Sequence, residues 1–310
     1  AMYPIEAESL LDLIQKFPDE EACIRHLELI RGNNGKITSP FSPGSKVYKL
    51  KNHWYRCKDT GKNFNVKTRT IFENTKIPLP KWFIAIWLVT SHKRGISSYQ
   101  LARDIHVTQK TAWFMLHRIR KGIEDANDIE LEGTIEIDET FVGGKNKNRH
   151  RDKKVKHSQG RSFDDTPPVI GMVQRGGLLV AKVIKSTKGE YLTPVITQYA
   201  SKDAVLYTDE WQGYNGIKSL YEHDFIDHSV KQYCKGEVCT NTIEGFWGIF
   251  KRGIIGVYYK TSRKYLHYYV NEFVFRYNTR DWMEGERFNV AFEGFINNRL
   301  TYKELTGKAA

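Results

Sequence analysis

The chain of 310 residues carries 48 Lys+Arg against 36 Asp+Glu, a formal net charge of +12, and is 40% hydrophobic and 13% aromatic. That apolar content excludes wholesale disorder. The longest uninterrupted apolar run is eight residues, 82–89, against roughly 18 for a membrane span, and no basic segment followed by an apolar stretch opens the chain, so neither a membrane nor a secreted protein is expected. The charge is uneven: residues 51–100 hold ten Lys/Arg and two acids, whereas residues 201–250 hold four and eight, which points to a polyanion partner in one place and cation-collecting carboxylates in another.

In chain order, the spacing of apolar residues predicts two short helices within residues 1–35, the second opening at Pro18-Asp19-Glu20-Glu21. Residues 36–75 change to short alternating strands at 46–50, 53–56 and 63–66, with Thr60-Gly61 as a turn. From Pro80 the pattern is helical again, and residues 82–89 are apolar nearly all round, as in a buried helix. Residues 96–120 read as a helix-turn-helix. Ser98 caps a first helix containing Leu101, Ala102 and Ile105, and Thr108 caps a second after a turn at His106-Val107. The second helix buries Ala112, Met115, Leu116 and Ile119. It is read as exposing Gln109, Lys110, His117, Arg118 and Arg120, with Thr111, to the major groove of DNA. Residues 76–130 form this module.

A different domain begins near residue 131 and is taken to run to 310. Strands are predicted at 134–142, 169–173 and 178–184, the last two joined by Arg175-Gly176-Gly177. A helix at 188–199, a strand at 204–208, a helix at 211–221, a strand at 223–228 and a long helix from Thr240 follow. This is a mixed α/β order. The stretch 145–161 carries eight Lys/Arg and one acid, Lys153 and Lys154 among them, and reads as a loop that orders on DNA. The tyrosines and phenylalanines between 258 and 277 have helical spacing and read as core.

Three acids fall where such a sheet places a ligand site: Asp138 within the first strand, Asp209 just past the strand 204–208, and Glu244 in the first turns of the late helix. An acid among β-branched residues is a costly choice for a half-buried strand unless a cation waits for it. Hard oxygen donors from separate elements suit Mg2+ or Mn2+, and two such ions can activate a water or a 3′-hydroxyl at a phosphodiester. Lys251 lies seven residues after Glu244 on the same helix face and is suited to a DNA phosphate. Asn241 shares that face and competes with Glu244 for the third ligand position; Glu244 is favoured. Cys23, Cys57, Cys234 and Cys239 are too sparse for a disulfide framework, and Cys234 and Cys239 lack the second close pair of a zinc site, so reduced thiols are expected.

The segments Ile137-Asp138-Glu139-Thr140-Phe141-Val142-Gly143-Gly144-Lys145, Tyr207-Thr208-Asp209-Glu210-Trp211-Gln212-Gly213-Tyr214 and Asn241-Thr242-Ile243-Glu244 through Lys251-Arg252-Gly253 resemble the three acidic signatures of Merlin-related bacterial insertion-sequence transposases, of the ISXO type. Glu272-Phe273 and Arg276-Tyr277-Asn278 are similar to that family's closing helix, and the 34 residues between Asp209 and Glu244 match the spacing in DDE transposases. The resemblance implies an RNase H-like catalytic domain at 131–310, preceded by N-terminal helices, a zinc-ribbon-like β module at 36–75 and the helix-turn-helix. It further implies metal ligation by Asp138, Asp209 and Glu244 with a pair of Mg2+ or Mn2+ ions, a basic role for Lys251, and cutting and joining of terminal inverted repeats by a homodimer in a synaptic complex. A cytoplasmic, nucleoid-associated protein follows from the same resemblance. Relatives build the β module on two Cys-x-x-Cys pairs; here only Cys57 remains and Ser39-Pro40-Phe41-Ser42 replaces a pair, so no zinc is expected and a basic surface with Arg56, Lys58 and Lys62 is read as contacting DNA, as is Arg252. The alternatives are an RNase H-like nuclease that does not rejoin strands, and a sequence-specific DNA-binding protein without catalysis.

Overall fold

The structure, a computed structural model, describes residues 5–33, 36–124, 129–143, 166–209, 212–226, 234–235, 238–259 and 261–307. The chain divides into two compact units, Ala1–Ala126 together with Asp281–Ala310, and Asn127–Arg280.

The first unit opens with α1 (Leu10–Lys16) and α2 (Glu20–Arg31). Ser9 and Asp19 cap them by accepting the amides of Asp12 and Ala22, which satisfies donors that a helix start leaves open. A short antiparallel pair, β1 (Gly32–Asn33) and β2 (Lys36–Ile37), leads to a three-stranded antiparallel sheet of β3 (Val47–Lys49), β4 (Tyr55–Cys57) and β5 (Asn63–Phe64). Its small core is Tyr55, Cys57 and Phe64. Burial raises the Cys57 thiol, but hydrogen bonds with Ser39, Ser45 and Thr60 outweigh it and leave the group lowered to about 6. Hydroxyl groups thus surround this thiol. Arg56, Lys58 and Lys62 are exposed on this module, while Lys67 is tied to Glu20 at 2.7 Å and Arg69 donates to the Pro40 carbonyl.

Helix α3 (Leu79–Ser91) is buried along most of its length, Trp82, Phe83 and Ile86 included. Two helices follow, α4 (Ser98–Asp104) and α5 (Gln109–Gly122). Ser97, one residue before the expected cap, accepts the Gln100 amide, and Thr108 accepts that of Thr111.

In the second unit, β6 (Thr134–Phe141), β7 (Pro168–Gln174) and β8 (Leu179–Val183) make an antiparallel meander. Helix α6 (Gly189–Tyr199) crosses to β9 (Val205–Asp209), which pairs parallel with β6, and β10 (Glu222–Ile226) adds in parallel outside β9. The order across the sheet is β10-β9-β6-β7-β8. Between β9 and β10 the chain forms a 3₁₀ turn, Gln212–Ile217, where the sequence reading has a longer helix over 211–221; its two glycines, 213 and 216, disfavour a continuous α-helix. A minimal hairpin, β11 (Cys234–Lys235) with β12 (Val238–Cys239), precedes α7 (Asn241–Gly253), and α8 (Leu266–Asn278) follows.

Each face of this sheet has its own core. Ile135, Ile137, Ile170, Met172 and Leu206 pack with Leu192 and Ile196 of α6. Val169, Val173 and Leu179 pack with Ile243, Trp247 and Phe250 of α7 and with Val270 and Phe273 of α8. The arrangement is a mixed sheet between helical layers. The aromatic run before residue 278 is largely core, as its spacing predicts: Tyr269 and Phe273 lie in this second cluster, and Tyr268 and Phe275 are also buried.

The last helices, α9 (Glu284–Glu293) and α10 (Tyr302–Thr306), belong to the first unit, so the domain read as 131–310 ends instead near residue 280. Phe288, Phe292 and Phe295 of this returning segment are buried. Phe292 packs against Phe72 and Phe83. This return also overturns part of the expected DNA-contacting face. His117, Arg118 and Arg120 are buried, Arg120 to 1% exposure. Arg118 donates to the carbonyls of Leu300 and Glu73. The sequence reading treats one face of α5 as free; the segment around Phe295 and Leu300 covers it. Gln109 and Thr111 stay half-buried and Lys110 exposed.

Candidate active site

The pairing of β6 with β9 stops at Glu136 and Tyr207. Beyond that point β6 continues beside β7 to Phe141, and β9 continues beside β10 to Asp209. The two central strands therefore part, at their carboxyl ends, where Asp138, Glu139 and Asp209 lie. Such a crevice is the usual ligand position in an open α/β sheet.

Among the described residues, one carboxylate oxygen each from Asp138, Glu139 and Asp209 lie within 4.8 Å of one another. Asp138 and Glu139 are consecutive in β6, where alternation sends them to opposite sides of the strand, yet each brings a carboxylate oxygen to Asp209. Burial pushes the Asp138 carboxyl up to about 6, and the charges of Asp209 and Glu244 add to the rise, against the Glu139 amide donated at 2.8 Å and the neighbouring Trp247 indole. Glu139 is raised further, to about 8, by burial and by the charges of Asp209 and Asp138, while the Tyr214 phenol beside it acts the other way. Tyr214, 1% exposed, is itself raised well above its ordinary value, by burial first and then by Glu139.

These are the marks of carboxylates crowded together with like charge. The donor set, all carboxylate oxygen with neither sulfur nor imidazole, fits a hard divalent cation such as Mg2+ or Mn2+.

Helix α7 supplies the remaining expected residues. Glu244 and Asn241 are exposed on its first turns. Glu244 is close enough for its charge to raise Asp138, but stands outside the tight group of three. Lys251 and Arg252 are exposed in its last turn. The helix lies close on the sheet because Gly171, the β7 partner of Asp138, has no side chain: a Cβ there would meet Trp247 at 2.6 Å and Ile243 at 2.8 Å. Lys153 and Lys154, in the basic stretch 145–161, lie outside the described residues.

Sequence reasoning missed Glu139. Period-two alternation assigns it to the face opposite Asp138, with Ile135 and Ile137; only a strand fork brings the two acids to one crevice, and the place where strands part is a long-range property.

A mixed α/β domain with a mixed sheet of this kind is consistent with an RNase H-like transposase domain. Residues 130–278, most of the second unit, are similar to the ISXO2-like transposase domain, which supports an insertion-sequence transposase. The chain is also 27% identical, over 252 residues covering 77% of it and 84% of the relative, to an uncharacterized protein in transposable element ISH50 of Halobacterium salinarum. Among the described residues, no helix is long and apolar enough to cross a membrane.

Proposed function

We propose that this protein is a DDE transposase that binds the terminal inverted repeats of its element, hydrolyses the phosphodiester at each end, and joins the freed 3′-hydroxyl to target DNA. The observation that carries the reading is the convergence of Asp138, Glu139 and Asp209 within 4.8 Å at the fork of the central strands. Asp138 and Asp209 would hold a pair of divalent ions, with Glu244 reaching from α7 and Glu139 from the far side of β6. When bound, such ions supply a nucleophilic oxygen and stabilise the leaving oxygen of the phosphodiester. Asn241, an uncharged amide at the start of α7, is the weaker candidate for the third position.

The chain's own groups do the rest. Lys251 and Arg252, exposed at the end of α7, would hold a DNA phosphate. Gly171 keeps α7 against the strand that carries Asp138. In the first unit, α4 and α5 would serve as a helix-turn-helix, presenting Gln109, Lys110 and Thr111 to the major groove. The exposed Arg56, Lys58 and Lys62 add phosphate contacts. Lys153, Lys154 and a homodimeric synaptic complex remain part of this reading.

The test is cleavage and strand transfer on DNA bearing the element's inverted repeats. Mn2+-dependent nicking followed by joining is expected in wild-type protein. Asp138→Ala should lower it by about two orders of magnitude or more, since loss of even an outer partner of a metal site costs about 10- to 100-fold. Full activity in that variant would refute the assignment. Cleavage without joining would identify a nuclease, and specific binding without cleavage a DNA-binding protein that has no catalytic role.

A further inference from the structure

Helix α7 begins without a cap of its own: the side chain of Thr240, the residue before it, makes no capping hydrogen bond. The partner for its first amides comes from far along the chain. Glu136, in β6 and 1% exposed, accepts the Thr242 amide at 2.8 Å and the Ile243 amide at 3.2 Å through one carboxylate oxygen. Its other oxygen accepts the Thr242 hydroxyl at 2.9 Å and Nε of Arg175 at 3.0 Å. The Arg175 guanidinium in turn lies over the ring of Tyr207, 4.9 Å from its centroid, in the strand that ends at Asp209.

We propose that Glu136 is a positioning residue of the site: its carboxylate fixes the first turn of α7 to the strand that carries Asp138, and so sets where Asn241 and Glu244 stand relative to Asp138 and Asp209. The inference rests on the reading of these acids as a divalent-cation site.

Three physical features favour it. A carboxylate at a helix start is stabilised by the open amides and the helix dipole together. Glu136 and Asp138 are two residues apart and leave β6 on the same side, so the anchor and the site move as one piece of strand. Arg175 carries the linkage to β9, which brings all three ligand-bearing elements onto one hydrogen-bonded and cation–π network. Every contact to Glu136 is a donor, so no neutral amide can replace it: a glutamine would set its NH2 group against at least one N–H or O–H.

The experiment uses the full chain with Mn2+ as probe. Mn2+ affinity is measured by titration calorimetry, and amide hydrogen exchange is followed across α7, for wild type, Glu136→Gln and Thr242→Val. Asp138→Asn serves as the direct-ligand control. Glu136→Gln should weaken Mn2+ about tenfold or more, as expected for a partner that orients ligands. It should also speed exchange in the first turn of α7 while β8 and α8 keep wild-type protection. Thr242→Val removes only the hydroxyl contact and should show the same two effects in smaller measure. Should Glu136→Gln fail to fold, Thr242→Val decides by itself.

Unaltered exchange in the folded variants overturns the anchor. Faster exchange with unaltered Mn2+ affinity overturns its role in placing the ligands. Absence of saturable Mn2+ binding in the wild type refutes the cation site itself, a result separate from either of these.

Discussion

Glu139 is the residue at which the chemistry of the site is most exposed to test. Its carboxyl is raised from 4.5 to about 8, first by burial and then by the charges of Asp209 and Asp138. A carboxyl that holds its proton more tightly folded than unfolded stabilises the fold fully at low pH, and that contribution is lost as pH rises through the folded value. Glu139→Gln should therefore melt near the wild-type temperature at pH 4.5 in ion-free buffer. Its melting temperature should then rise above that of the wild type as pH increases toward 8. Parallel melting curves for the two proteins across that range would contradict the burial and charge crowding at this position. At this scale the sequence was legible for the meeting of Asp138 and Asp209 at one end of the sheet, which their place in a strand pattern suggests. It was illegible for Glu139, and misleading for Arg118 and Arg120. Their surroundings are made by residues distant in the chain: Asp209 and Tyr214 in one case, Leu300 and its neighbours in the other.

Among the elements, α7 shows how tightly a helix must sit for its residues to matter. Ile243 and Trp247 pack against Gly171, the strand partner of Asp138. Gly171→Ala would place a methyl group at 2.6–2.9 Å from those two side chains, an overpacking that costs about 1–3 kcal/mol. Denaturant unfolding of this variant should give that loss, and near-ultraviolet circular dichroism should report the displaced Trp247. A wild-type midpoint would mean the helix can yield without cost. Local patterning located α7 within a residue of its observed start, and it located every strand of the main sheet, because each is an alternating or continuously apolar run bounded by turn residues. What periodicity does not carry is pairing. The order of strands, the end of the β6–β9 register and the capping of α7 by a residue in β6 all depend on partners that local patterning does not name.

For the whole molecule, the charge asymmetry of the sequence divides between two bodies of different construction. The basic stretch 51–100 lies in the unit that holds α4 and α5, and Asp209 and Glu244 lie in the unit built on the main sheet. That second unit is continuous in sequence; the first is assembled from residues at both ends of the described chain. Phe292 illustrates the debt of one end to the other, with ring contacts to His26, Phe72 and Phe83. Phe292→Ala should destabilise the first unit by about 3–5 kcal/mol, read as faster amide exchange in α3 with protection in β7 and β8 unchanged. Equal loosening of both units would show that they unfold together. The boundary near 280 was hidden from the sequence because helices 284–293 and 302–306 follow the closing helix with no long linker to mark a change of body. The same threading sets an order of events on the ribosome, where chains emerge at about 5–20 residues per second and domains fold as units. The acid-bearing sheet has all of its strands and helices before residue 281, whereas the basic unit waits for residues 284–295 to complete its aromatic core. The half that carries the acids can therefore be finished first in a nascent chain, and the half proposed to recognise DNA is the last to become competent.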